Sequence, residues 1–427
     1  MVPRSSITWG LVVVLAISIA SLVMQSRVIT RLVRDPPPLT RPVVAPSEAP
    51  AIQAMHAGDC AGDAYCLESA PQWFEFRRVA FHRGHIVFFG QANSTIVRDI
   101  EPQAYKYRAF LNGGIVDLQQ RFHADARPWD PPSFCDEHVR GTSFLSSVWV
   151  ANNAFHAHND NLLPLFWQAD RLGVVPLLPN CTLFEIPSDR PELAVLHDTK
   201  ARMFGTIRGM PRDQRTVCLD HLVWGYGPQP FYRSWFEIDA LAPAPYWYEF
   251  AHRWQRYVRQ LYRPKRPADR SNRVVFFHRT GGGGRAMAQA DFEAFVGDLQ
   301  ARHLDVTVIS GGDQFDDIVG LLEIMQDASC VLGTHGAGLV NALYARDGAA
   351  LVELRTDYAF ETRLFENVAL DAGLSYVSVD FRMYTADKPG GFPSERRRRL
   401  ADVIVSAMAN QIDVDRDGGS HRNPIVL

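Results

Sequence analysis

The sequence predicts an α/β protein whose two lobes face each other across a cleft, and three observations carry that prediction. From Arg273 onward, short apolar runs alternate with helical patterns, as in a parallel, doubly wound sheet. Between residues 59 and 245 a less regular alternation predicts a second α/β unit. The chain's 427 residues leave room for two or three domains of roughly 150 residues each. Composition agrees, since 47% hydrophobic and 21% charged residues describe an ordinary globular protein rather than a disordered or collagen-like one. Lys+Arg 44 against Asp+Glu 47, a net charge of -3, supplies no basic field, which argues against nucleic acid as the main partner.

At the N-terminus, residues 1–6 read as a short cytoplasmic tail and Ile7–Met24 as an uncharged apolar run long enough to cross a bilayer. Two readings compete for 7–24: an uncleaved transmembrane signal anchor, and a cleaved signal peptide using the small residues near Ser18 and Ala20. The anchor is favoured because 25–58, with Pro36-Pro37-Pro38 and further Pro and Ala up to Pro50, reads as an extended stem. Arg27, Arg31 and Arg34 follow the span, which by charge alone places the C-terminus inside. The acceptor triplets Asn93-Ser94-Thr95 and Asn180-Cys181-Thr182 have meaning only if the body is lumenal, and the reading follows them. Six cysteines are compatible with disulfides; Cys60 with Cys66 is the expected pair, and Cys330, inside an apolar run, is expected to be a buried free thiol.

Along the body, 59–245 forms the first lobe, with VWVANN, the Leu162-Leu165-Phe166-Ala169 stripe, VVPLL and TVCLDHLVWG as its elements. A helix Tyr246–Tyr262 bridges to the second lobe, 246–412. There the expected order is strand VVFFH, a helix burying Phe292, Phe295, Val296 and Leu299, strand VTVIS, helix 318–328, strand 330–333, and a short helix opening at Gly336. A strand 350–354, a helix near 361–370, a strand 376–379 and a helix 396–411 follow. The polar tail 413–427 is expected to be disordered.

Three segments could carry chemistry. Gly333-Thr334-His335-Gly336-Ala337-Gly338 follows a strand and opens a helix, where glycines admit a ligand to the backbone and free N–H groups favour phosphate. Tight strand-to-helix packing also demands small residues, and His335 is either a phosphate donor or a satisfied core histidine. Arg279-Thr280-Gly281-Gly282-Gly283-Gly284-Arg285 places two fork-like cations around a glycine loop, suited to a diphosphate or, alternatively, simply solvated. In His156-Ala157-His158-Asn159-Asp160, Asp160 near a helix's first turn could serve as general base or as a helix cap. The same H-x-H-x-D could also hold a metal, as in a metal-dependent hydrolase.

THGAGLVNALYARDGAALVEL (334–354) resembles the signature of glycosyltransferase family 61, which includes the plant core xylosyltransferase, the EGF-domain O-linked N-acetylglucosaminyltransferase and the O-mannose N-acetylglucosaminyltransferase. HAHNDNLLPLFWQ, VCLDHLVWG and VVFFHRTGGGGR extend the likeness over about 143–354. The family's Glu-Gln pair before the HGAGL block is replaced here by Gly320 and Leu321, with Glu323 nearby.

The resemblance implies a GT-B-like fold of two Rossmann-type lobes and an inverting transfer from a UDP-sugar, of xylose or N-acetylglucosamine, to a glycan or glycoprotein, with no obligatory cofactor or metal. It implies that Arg279, Arg285 and the backbone of His335, Gly336, Ala337 and Gly338 hold the diphosphate, and that Glu353 accepts from ribose hydroxyls. Asp160, with His156 or His158, would take the acceptor's proton from across the cleft. The implied setting is the Golgi or endoplasmic reticulum membrane, in type II orientation. Two rivals stand beside it: the metal-dependent hydrolase, and a membrane-tethered protein that binds glycan or nucleotide without catalysis.

Overall fold

The computed structural model describes residues 65–66, 73–89, 122–125, 129–147, 152–186, 191–225, 244–265, 272–280, 284–311, 314, 317–356, 363–409 and 425–426. The chain divides into Met1–Ala57 and Gly58–Leu427, and everything described belongs to the second unit. The expected tail, anchor and stem, together with Asn93 and Cys60, lie outside the described residues. Among the described residues no helix is long and apolar enough to cross a membrane.

The first sheet has eight strands: β1 Tyr65–Cys66, β2 Trp73–His82, β3 His85–Phe89, β4 Phe122–Asp125, β5 Glu137–Ser147, β6 Thr182–Ile186, β7 Thr206–Gly209 and β8 Thr216–Gly225. Their order is β4-β3-β2-β8-β5-β6-β7, with β1 added to β2. β2 runs antiparallel to β1, β3 and β8, whereas β3–β4, β8–β5, β5–β6 and β6–β7 are parallel. The reversal comes from a hairpin whose two turn residues, Arg83 and Gly84, take φ of 51° and 74°, the left-handed geometry that matches strand twist. The first lobe is a mixed sheet: its β8-β5-β6-β7 half is parallel, in keeping with a Rossmann-like lobe, and β2, β3 and β4 extend it. In that half, helix α1 (residues 154–171) joins β5 to β6, and α2 (Ala194–Met203) joins β6 to β7. VVPLL contributes no strand; with Pro176 and Pro179 it coils into the 3₁₀ helix Val175–Asn180, because each proline lacks the N–H that a ladder needs.

Helix α3 (Ala244–Tyr262) leads to a second sheet of β9 Arg273–Phe277, β10 Asp305–Ile309, β11 Cys330–Thr334, β12 Ala350–Arg355, β13 Ser375–Asp380 and β14 Ile425–Val426. All its pairs are parallel, in the order β10-β9-β11-β12-β13-β14. The connections are α4 (Gln289–Gln300), α5 (Ile318–Gln326), the 3₁₀ helix Ala337–Tyr344, α6 (Leu364–Ala372) and α7 (Ser394–Ala409). β14 corrects the expected disordered tail: its last residues pair with Val379 and Asp380 on the sheet edge. The run VVFF in β9 is apolar throughout because both faces are covered. Val275 and Phe277 enter one core, and Val274 and Phe276 another with Phe295, Leu332, Val352 and Leu400.

The first of these cores is shared by both sheets. It joins Phe144, Leu183 and Val223 of the first sheet to Val275, Val331 and Leu351 of the second, through α1, α3 and the 3₁₀ helix 337–344. Trp247, Phe250, Trp254 and Val258 present one buried face of α3, and Phe166 of α1 meets Phe250, Trp254 and Tyr257 at ring distances of 5.7, 5.2 and 5.1 Å. The arginines of α3 lie outside this face, Arg253 pairing with Asp170 at 2.9 Å.

Cys135 and Cys218 form a disulfide across a sequence separation of 83, with Cα atoms 5.8 Å apart. It ties the start of β5 to its neighbour β8. Cys330 is a buried free thiol, as expected, and Cys181 is also buried and outside the disulfide; burial pushes both thiols up. Closing a loop of that length restricts the unfolded chain and stabilises the fold by about 4 kcal/mol. A Cys135→Ser, Cys218→Ser double variant should therefore melt well below the wild type under oxidising conditions, and reductant should remove the difference.

Candidate functional site

In the second sheet the chain leaves β9 for β10 on one side and then crosses to β11 on the other. Connections at the C-terminal ends of β9 and β11 therefore diverge, and a crevice opens at such a switch point. After β9 comes His278-Arg279-Thr280; after β11 comes His335-Gly336 and the 3₁₀ helix. The expected helix at Gly336 is thus a 3₁₀ helix, whose first N–H groups still lack partners within it. Gly336, Ala337 and Gly338 are half-exposed within an otherwise buried stretch, and Asn341 Nδ2 donates to the Gly338 carbonyl at 2.9 Å.

The glycines here have different reasons to be small. A Cβ on Gly333 would meet the Phe277 carbonyl oxygen at 2.9 Å and Leu339 Cδ2 at 3.0 Å, so this position serves packing. At Gly336 a Cβ would instead meet Arg279 Nη1 at 3.4 Å. Arg279 thus lies over the turn, exposed, with no ion pair to a carboxylate among the described residues. Partial loss of solvent around the guanidinium, and then the charge of Arg285, pulls Arg279 below its ordinary value. Two cations near enough to repel each other, beside the backbone N–H groups that open the 3₁₀ helix, give this turn a positive potential. Residues 281–283 between them lie outside the described residues.

Glu353 departs from its expected role. Its carboxylate is 1% exposed; one oxygen accepts from His335 Nδ1 at 2.5 Å and the other from the Tyr376 hydroxyl. Its two oxygens are thus engaged by His335 and Tyr376, and it holds the His335 imidazole. Glu323 is also engaged, accepting from the Lys265 backbone N–H at 3.0 Å. Gly320 is small because the Asp317 carboxylate occupies the place of its Cβ, capping α5 through Gly320 N–H at 2.9 Å.

The HAHND segment lies inside α1 rather than at a strand-to-helix junction. Asn153 is the cap, accepting from the N–H groups of Phe155 and His156 at 3.0 and 3.3 Å, which removes the reading of Asp160 as a cap. Residues Ala157–Leu162 form a π-helical turn between the α-helical stretches Ala154–His156 and Leu163–Arg171. Pro164 accounts for it: it cannot donate to the Asp160 carbonyl and its ring would strike it, so the helix widens. Asn161 Nδ2 fills part of the gap by donating to the His156 carbonyl at 2.8 Å.

This turn sets Asp160 against His156, whose Nδ1 meets Asp160 Oδ2, while Asn159 Nδ2 donates to Oδ1 at 2.7 Å. The Asp160 side chain is 0% exposed and that of His156 19%. Burial pushes the Asp160 carboxyl above its ordinary value, against the pull of His156 and Asn159. His158 takes no part in the pair. Its Nδ1 bonds the Ala154 carbonyl at 2.8 Å, its ring lies 5.6 Å from that of Tyr344, and burial holds it down at about 4, so it is neutral. The three side chains do not converge as ligands, which takes the geometric basis from the hydrolase reading.

The two motifs, far apart in sequence, meet in space. The ring of Phe365 lies 5.0 Å from His335 and 5.8 Å from Phe155, which lies 5.7 Å from His156. Two aromatic side chains, Phe365 and Phe155, thus link the His335 imidazole beside the Gly336 turn to the His156–Asp160 pair. Sequence reading missed Phe365, Tyr376, Asn159 and Asn153. Only Asn153, a capping residue three before His156, carried a local signal; Phe365 and Tyr376 read as ordinary core residues.

Residues 155–352 match the family model described as Glycosyltransferase 61. The chain matches no curated protein.

Two glycine substitutions separate packing from binding. Gly333→Ala should cost about 1–3 kcal/mol by overpacking, lowering the melting temperature, whereas Gly336→Ala should leave it nearly unchanged. Asp160→Asn should melt no lower than wild type at neutral pH, because the raised carboxyl pKa makes its charge oppose folding. That opposition grows as pH rises through the folded-state pKa and vanishes once the unfolded carboxyl is protonated. Melting curves recorded between pH 4 and 7.5 should therefore show the variant's advantage shrinking with acid.

Proposed function

Because the chain belongs to glycosyltransferase family 61 and is a glycosyltransferase, we propose that it is an inverting enzyme moving xylose or N-acetylglucosamine from a UDP-sugar to a glycan or glycoprotein acceptor. The observation that carries this reading is Arg279 lying over Gly336 at the switch point, with Phe365 and Phe155 linking the neighbouring His335 to the His156–Asp160 pair. A mixed α/β body with parallel strands in both sheets fits two Rossmann-like halves, and the GT-B-like arrangement, with donor and acceptor meeting between them, is part of the proposal.

In the reaction the acceptor hydroxyl oxygen attacks the anomeric carbon as the bond from that carbon to the phosphate oxygen breaks. Its proton passes to the His156–Asp160 pair. Since His156 is the partly exposed member, it meets the acceptor, while Asp160 holds the ring and stabilises the imidazolium that forms. Negative charge gathers on the departing UDP, where Arg279, Arg285 and the N–H groups of Gly336 to Gly338 oppose it without moving, the arrangement that lowers a barrier most effectively. Cations of this kind can do the work that a metal ion does elsewhere, and the proposal includes no obligatory metal.

The setting is part of the same reading: a type II protein anchored by 7–24, with its body in the lumen of the Golgi or endoplasmic reticulum. A disulfide between Cys135 and Cys218 supports an oxidising compartment, and Asn180 of the second triplet is exposed at the end of its 3₁₀ helix.

Melting of the full chain against a panel of nucleotides with EDTA present tests the donor site, because a ligand that binds only the folded state raises its stability. UDP should raise the melting temperature selectively, and a flat response to every nucleotide would end the proposal. Arg279→Ala should weaken UDP about 10–100-fold, the worth of a charge-assisted hydrogen bond. Asp160→Asn and His156→Ala should slow transfer by about 10²–10⁴-fold while leaving UDP binding intact.

A further inference from the structure

Glu353 is a buried carboxylate that makes no contact in the reaction as drawn above, and it is bound from two sides. Tyr376 of β13 pairs in register with Leu351, two residues before Glu353 on β12, so Tyr376, Leu351 and Glu353 share one sheet face. A carboxylate only accepts hydrogen bonds, so the Tyr376 hydroxyl and His335 Nδ1 must both donate. With Glu353 as the carboxylate, the chain from Tyr376 through Glu353 to His335 puts a proton on His335 Nδ1. Phe365 stands across the ring at 5.0 Å, with its plane at 66° to it, and blocks rotation.

We propose that Glu353 and Tyr376 are positioning residues of the donor site, fixing the tautomer and the orientation of His335 beside the Gly336–Gly338 turn. The proposal rests on the transferase reading for its kinetic consequence, though its structural content stands apart from it. Burial and the charge of Glu353 push the Tyr376 phenol well up, so it stays a donor throughout the working pH range. Without that donor, the buried carboxylate has one partner among the described residues instead of two and can turn about its own axis, taking the imidazole with it. Supporting residues of this kind typically matter by about 10–100-fold.

The test uses the full chain labelled with ¹⁵N-histidine, the His335 signals being assigned by their loss in His335→Asn. Wild type should show His335 protonated at Nδ1, and Tyr376→Phe should shift it towards a mixture of tautomers. With a UDP-sugar and acceptor, Tyr376→Phe should lower kcat about tenfold while leaving the acceptor KM and the melting temperature nearly unchanged. Glu353→Gln, whose amide oxygen can still accept from Nδ1, should keep more activity than Glu353→Ala. A wild-type ring protonated at Nε2 alone, an unaltered tautomer in Tyr376→Phe, or a kcat loss that merely follows a lower melting temperature would overturn the proposal. If wild type transfers no sugar at all, the transferase reading falls, and the nitrogen spectrum still decides the positioning role.

Discussion

Both halves of the site hang on the burial of the 3₁₀ helix Ala337–Tyr344 in the core that the two sheets share. Its residues Leu339 to Tyr344 are all buried. α3 holds it by two polar contacts as well as by packing: Gln255 Nε2 donates to the Leu343 carbonyl at 2.6 Å and Trp254 Nε1 to the Tyr344 hydroxyl at 3.1 Å. Inside a close-packed core such contacts leave little room for displacement. The Gly336–Gly338 turn at the start of this helix, and the first turn of α1 lying against it, are therefore held at a set separation by the same packing that stabilises the molecule.

Within that frame the chain has built the same device twice. Asp160 orients His156 within one helix, and Glu353 orients His335 between a strand end and a loop. In each the carboxylate is buried and the imidazole stands nearer the surface or the turn. Burying a carboxylate is costly unless hydrogen bonds meet it, and both have a second donor, from Asn159 and Tyr376 respectively. A buried lysine shows that the fold also uses charge for purely structural ends: Lys200 of α2 is fully buried between Glu185 and Glu192, fastening α2 to the end of β6. The difference is one of place. Lys200 joins two elements of the first half, whereas the imidazole pairs stand at either end of the Phe365–Phe155 contact, in the core that the two sheets share.

Much of this was legible in the residues. Strands β9 to β13, the buried face of α4, β8 and the stripe on α1 follow from hydrophobic periodicity, because each buries a face whose spacing is set by its own geometry. The glycine block was legible as a place where backbone must come close to something. Other features were not: the reversal of β2 depends on a two-residue turn, the π turn in α1 on a proline acting on the residue four before it, and β14 on an edge that a two-residue strand can fill. Cys135–Cys218 could not be picked from six cysteines, since pairing depends on which strands become neighbours and β5 and β8 are far apart in the chain.

Residue order by itself determined the alternation of strands and helices, the two arginines and the small-residue turn of the Arg279 and Gly336 segments, and the presence of a carboxylate beside histidines. These are local properties, set by backbone geometry and side-chain chemistry over a few residues. Tertiary structure decided which histidine pairs with Asp160, that Gly333 serves packing while Gly336 makes room for Arg279, and that Glu353 turns inward to His335 and Tyr376. Each of those outcomes depends on groups brought together by the shared core from distant parts of the chain, and no local pattern encodes the distance between them.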